Sequence, residues 1–124
     1  MEKIYTKNAP EAIGPYSQAI AVGNLVFTSG QIAINPASGN IEATDVVGQT
    51  EQVMKNLGEV LAAAGASFES AVKTTCFLAD IADFAAFNEI YGKYFTGKPA
   101  RSCVAAKALP KGALVEVEVI AEVL

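Results

Sequence analysis

Two periodicities run along the chain. Val46, Thr50, Val53, Leu57, Val60 and Ala64 recur at spacings of three and four, which predicts a helix over residues 45–64 with one apolar side. Thr44 is the expected N-cap and Gly65 the expected C-cap. Gly48 and Gly58 weaken this helix locally, or let it pack closely against a sheet. A second helix is expected after Asp80 or Asp83, either of which can cap it. It carries Phe84, Phe87, Tyr91 and Tyr94 on one side and is stopped by Gly97 and Pro99.

Elsewhere the pattern is β-like. Residues 2–6 read as a short strand, and Asn8 to Pro15 as a loop punctuated by prolines and a glycine. Residues 17–22 and 25–29 are β-prone runs joined by Gly23-Asn24, a two-residue hairpin turn. Asn35-Pro36 and Ser38-Gly39-Asn40 mark a loop. Residues 71–78, 101–107 and 114–123 are strands, the last two linked through Leu109-Pro110-Lys111-Gly112. The order is β-β-β-α-β-α-β-β, a single α+β domain over residues 1–124 with two helices on one face of a mixed sheet. The other sheet face also needs cover, and an oligomer supplies it most simply.

Along the last strand, Val115, Val117, Val119, Ala121 and Val123 form an uninterrupted apolar face, with Glu116, Glu118 and Glu122 opposite. On the strand before it, Arg101, Cys103, Ala105 and Lys107 share a face. If Lys107 pairs near Leu114, Arg101 and Cys103 lie on the same face as Glu116 and Glu118, a register that a one-residue slip reverses. An Arg fork holds a carboxylate in bidentate fashion, and a Glu in a partly dry cleft moves protons. Exposed Arg and Glu side chains are more often simply solvated, and the pattern alone favours that reading.

Composition narrows the chemistry. The 124 residues are 52% hydrophobic, enough for one buried core. There is no His, which removes Ser-His-Asp and Cys-His catalysis and most zinc sites, leaving acid–base work to Glu, Asp, Lys, Tyr or Cys. Nine basic against thirteen acidic residues give a net charge of -4, which disfavours nucleic acid as a partner. Cys76 and Cys103 fit no metal spacing and are expected as free thiols. The first ten residues lack an apolar signal-peptide core, and no apolar run reaches the roughly 20 residues of a membrane span, so a cytoplasmic location is expected. Gly97-Lys98 lacks the upstream Gly and following Ser or Thr of a phosphate loop. Tyr16, Ser29, Gly30, Asn88 and Cys103 each have an ordinary packing or turn reading when taken singly.

Taken together and in order, Gly14-Pro15-Tyr16-Ser17-Gln18, Thr28-Ser29-Gly30-Gln31-Ile32, Pro99-Ala100-Arg101-Ser102-Cys103-Val104 and Val115-Glu116-Val117 closely resemble the RidA (YjgF-like) family of reactive-intermediate deaminases. The resemblance covers essentially the whole chain. Its one small departure is Val117, where the family usually has Ile or Met. It implies a chorismate-mutase-like fold, a homotrimer with clefts between subunits, and hydrolysis of 2-iminobutanoate and 2-iminopropanoate to 2-keto acids and ammonia. It further implies that Arg101 clamps the substrate carboxylate with help from the Cys103 backbone N–H, and that Glu116 positions the attacking water. Tyr16, Ser29, Gly30, Ile32 and Asn88 would line the cleft. No cofactor is expected, because an imine is already electrophilic and water needs placement more than activation. Two alternatives come with the family: a trimer that only binds small carboxylic acids, and RNA cleavage with translation inhibition, which the acidic balance and lack of His disfavour.

Overall fold

A computed structural model describes residues 1–124. The chain runs β1 (Glu2–Ile4), β2 (Ala19–Val22), β3 (Leu25–Thr28), β4 (Ile34–Asn35), β5 (Asn40–Ile41), α1 (Val46–Ala63), β6 (Ala71–Leu78), α2 (Phe84–Tyr94), β7 (Ala100–Ala105) and β8 (Val115–Glu122). Six strands form one sheet in the order β1-β2-β3-β8-β6-β7, and β4 and β5 make a separate small hairpin. All pairs in the large sheet are antiparallel except β6 with β7. This is the expected α+β class. No helix is long and apolar enough to cross a membrane.

Local signals act much as the sequence predicts. Val22 pairs with Leu25, so Gly23 and Asn24 make the two-residue turn, with Gly23 at a φ of 60°. Helix α1 begins one residue later than expected. Its N-cap is Asp45 rather than Thr44, because the Asp45 carboxylate accepts the Gly48 N–H at 2.9 Å. Ala64 is the C-cap, and Gly65 follows it at a φ of 78°. Gly58 meets an aromatic ring rather than the sheet: a Cβ there would stand 3.2 Å from Phe68. Asp80 caps a short 3-10 turn, Ile81–Asp83, that leads directly into α2. The β4–β5 hairpin falls where the sequence shows only a loop. Its strands are two residues each, too short for a period to register.

Both helices lie on one sheet face, where Val53, Met54, Leu57, Val60 and Leu61 of α1 and Phe87 of α2 are fully buried. Each such side chain contributes about 2 kcal/mol relative to exposure. From the sheet, Val26, Thr74, Cys76, Leu78, Val115, Val117, Val119 and Ala121 point into the same core. The opposite face has no layer over it. Phe27, Val22 and Val104 remain 40%, 49% and 47% exposed there.

The pairing expected between residues 101–107 and 114–123 does not occur. Strand β7 pairs with β6 in parallel, Arg101 beside Thr74 and Cys103 beside Cys76, and β8 lies on the other side of β6. Two parallel strands need a crossover, and α2 supplies it, which delivers β7 to the outer edge of β6. Residues 106–114 then carry the chain past β6 to the gap beside β3. Reading across the sheet, Arg101 aligns with Thr74 and Val119, whereas Glu116 aligns with Phe77 and Val104. Arg101 and Cys103 therefore face the helices, and Glu116 and Glu118 face the open side.

Candidate functional site

The residues singled out from the sequence separate into two groups. Tyr16, Ser29, Gly30, Ile32 and Glu116 line one open cavity of about 630 Å³, together with Glu11, Gln31, Lys111 and Glu118. Arg101, Asn88 and Cys103 stand on the far side of the sheet, at its β7 edge.

The cavity walls are held by backbone pairing and buried amides. Beyond β3, Gln31 exchanges both backbone hydrogen bonds with Val117, its N–H donating at 2.9 Å and its carbonyl accepting at 3.1 Å. That bridge lays residues 29–32 beside Glu116. The Ser29 hydroxyl donates to the Ser17 carbonyl at 2.6 Å, and the Ser29 N–H to the Gln18 carbonyl at 2.9 Å, tying this segment to the one that carries Tyr16. Tyr16 itself follows a tight turn in which its N–H donates to the Gly14 carbonyl. Buried Gln18 accepts from the Thr6 N–H and donates to the Thr6 and Pro10 carbonyls. Buried Asn56 donates to the Ile32 and Ile34 carbonyls at 3.2 and 2.9 Å. No buried side-chain nitrogen or oxygen lacks a partner.

Within these walls the Glu116 carboxyl is half-buried. Burial holds its pKa above the ordinary carboxylate value, and the negative charge of Glu118 on the same strand face pushes in the same direction. Such a group takes up and returns a proton nearer neutrality than a solvated Glu does. No group of three or more His, Cys, Asp or Glu side chains is arranged to hold a metal ion.

Arg101 is fixed on the helix side. Its Nη1 donates to the Asn88 Oδ1 at 2.6 Å, and the guanidinium lies 4.7 Å from the Tyr91 ring centroid and 5.4 Å from that of Phe84. Tyr91 is positioned in turn by a 2.7 Å hydrogen bond between its hydroxyl and the buried Thr74 hydroxyl, and by stacking on Phe95 at 4.5 Å. A guanidinium has five N–H donors, of which the Asn88 bond uses one. The sequence shows Phe84 and Tyr91 only as part of an aromatic stripe. Their place with Asn88 at i, i+4 and i+7 on one helix face was the available signal.

Cys103 offers backbone more than sulfur. Burial raises its thiol pKa against the lowering effect of Arg101, and burial pushes the neighbouring Cys76 up to about 12. The Ala106 N–H bonds to the Leu78 carbonyl of β6. Backbone direction alternates along a strand, so the Cys103 N–H points away from β6 toward the free edge.

Within one chain, then, a fixed cation with unused donors and a proton-active carboxyl occupy opposite sheet faces. The residues match those of known proteins throughout. "Reactive Intermediate Deaminase A, chloroplastic" of Arabidopsis thaliana is 53% identical over 121 residues, 97% of this chain, although this chain spans only 65% of that relative's length. A "2-iminobutanoate/2-iminopropanoate deaminase" of Mus musculus is 50% identical over 119 residues, 95% of this chain and 88% of that protein. Among solved structures, E. coli TdcF with bound serine superimposes with a TM-score of 0.93 at 42% identity, covering 98% of each chain. With residues 6–123 also matching the family model described as endoribonuclease L-PSP, the chain belongs to that family, the YjgF/RidA proteins.

Proposed function

We propose that this protein is a 2-iminobutanoate/2-iminopropanoate deaminase that works as a homotrimer, each site built from Arg101 of one copy and the Glu116 cavity of the next. The observation that carries the reading is the division of the site. Two prepared halves lie on opposite faces of one sheet, and neither alone binds a small acid at one end and attacks it at the other. Bringing the β7 edge of one copy against the open cavity of another unites them, on the sheet face where Phe27, Val22 and Val104 stand exposed.

In that cleft the Arg101 fork and the outward Cys103 N–H hold the substrate carboxylate. The C=N carbon then faces Glu116. Ionised Glu116 accepts a proton from water as the water oxygen bonds to the carbon of the protonated imine, and the former π pair becomes the lone pair of a neutral carbinolamine nitrogen. Glu116 returns that proton to the nitrogen and then takes the hydroxyl proton as the C=O bond forms; the C–N bond breaks with its electron pair leaving on ammonia, and the 2-keto acid remains. One water is consumed and no redox change occurs. Orientation and one proton shuttle suffice, which suits a site without His.

A binder of small carboxylic acids that performs no turnover is the second reading, supported by the serine held in the E. coli neighbour. RNA cleavage fits less well, since Glu11, Glu116 and Glu118 line the cavity of a chain with net charge -4 and would repel a phosphodiester.

The test couples the protein to a pyridoxal-phosphate-dependent threonine dehydratase and follows imine disappearance against the spontaneous rate. The wild type is expected to accelerate it. Arg101→Ala is expected to lose about two orders of magnitude in kcat/KM, the worth of two charge-assisted hydrogen bonds. Full acceleration by that variant refutes the clamp. Keto-acid binding by the wild type without acceleration favours the binder.

A further inference from the structure

We infer that Gly30 is a positioning residue for Glu116: the missing side chain at position 30 is the space in which the Glu116 carboxyl sits. The inference rests on the deaminase reading for its kinetic consequence, but its geometric content is independent of that reading.

A Cβ built on Gly30 would stand 2.2 Å from the Glu116 Oε2, 2.9 Å from its Cδ and 3.0 Å from its Cγ. Ordinary contact begins near 3.4 Å, so the oxygen would have to withdraw by about 1 Å. The backbone cannot take up that movement easily. Gln31, the next residue, is pinned in both directions to Val117, the residue after Glu116. The distance between the two main chains at this point is therefore fixed by hydrogen bonds, and the Glu116 side chain has to yield instead.

Gly30 has no left-handed backbone angle, unlike Gly14, Gly23 or Gly65, so its φ does not demand glycine. The two nearest clashing atoms, Oε2 and Cδ, belong to the far end of a flexible side chain. Both facts separate function from folding. Alanine at this position restricts the unfolded chain slightly and strains nothing in the native backbone, so stability should hold. What changes is where the carboxyl rests, and a displacement of this size at a reacting group costs about 100-fold in rate.

The experiment compares Gly30→Ala, Glu116→Asp and the double variant. G30A is expected to melt within a few degrees of the wild type and to assemble alike, while kcat falls about 100-fold and KM changes little, because the carboxylate clamp is untouched. Aspartate is one methylene shorter and brings no atom to the 2.2 Å position of Oε2, its carboxyl reaching only the former Cγ and Cδ positions at 3.0 and 2.9 Å. In the E116D background G30A should therefore cost about tenfold at most, a non-additivity that a merely structural effect would not produce. Carbon-detected NMR titration of the Glu116 carboxyl supplies a readout without turnover: its pKa should fall toward the ordinary value in G30A, as the group moves out of its partly buried seat.

Full activity in G30A, with Glu116→Gln inactive, overturns the inference while leaving the deaminase reading intact. Full activity in both variants overturns the role of Glu116 itself. If the wild type shows no deaminase activity, an unchanged Glu116 titration in G30A overturns the inference and a lowered one supports it.

Discussion

Placing Arg101 and Glu116 on opposite faces of one sheet makes a sharp demand on an active assembly. If each site takes its guanidinium from one copy and its carboxyl from the next, two inactive variants should complement each other. Consider Arg101→Ala and Glu116→Gln chains, differently tagged, mixed in equal amounts and allowed to reassemble. In a ring of three head-to-tail contacts a cleft works only when the Glu116→Gln chain supplies Arg101 and the Arg101→Ala chain supplies Glu116, a joint chance of about one quarter. Parental trimers contribute nothing. In either mixed composition, one of the three clefts is intact. Mixed trimers purified through both tags should thus recover about one third of wild-type activity, and the unsorted mixture about one quarter. The assay is the coupled imine-disappearance rate, with subunit composition confirmed by native mass spectrometry. Were both groups to act from a single chain, every chain would carry a lesion and nothing would be recovered. Verified mixed trimers without activity refute the shared cleft.

Two other outcomes follow from the same geometry. Glu118→Gln removes a negative charge that helps raise the Glu116 pKa, so the acid limb of kcat/KM, which rises as Glu116 ionises, should move to lower pH; an unmoved limb in a pH–rate profile would assign the whole elevation to burial. Asn56→Ala removes the amide donor to the Ile34 carbonyl and one of the two donors to the Ile32 carbonyl, which keeps the Ile34 N–H, and should cost about 1–3 kcal/mol in denaturant unfolding, with a loss under about 0.5 kcal/mol showing that water replaces the amide.

Much of the candidate site is legible in the sequence, but as separate pieces. The Thr28–Ile32, Pro99–Val104 and Val115–Val117 segments were recognisable by resemblance, and the structure does gather Tyr16, Ser29, Gly30, Ile32 and Glu116 around one cavity. Arg101, Asn88 and Cys103 form the second group. The supports were less legible. Asn56 sits in the middle of α1 and contacts a segment more than twenty residues earlier, and the Gln31–Val117 bridge spans most of the chain. Nothing local in either neighbourhood announces such a contact.

The chain's own pattern determined its elements and the faces within them. The three-and-four spacing of α1, the Gly23-Asn24 turn and the alternation of Val115, Val117, Val119 and Ala121 act over a few residues and depend only on local backbone geometry. Which strand lies beside which was decided by tertiary structure alone. The α2 crossover sends β7 parallel to the outer edge of β6, and β8 fills the gap between β6 and β3 because that is where its apolar face is buried under α1. Side-chain alternation specifies two faces for every strand, but only pairing assigns each to the core or to the open side. Arg101 and Glu116 were parted by that nonlocal choice.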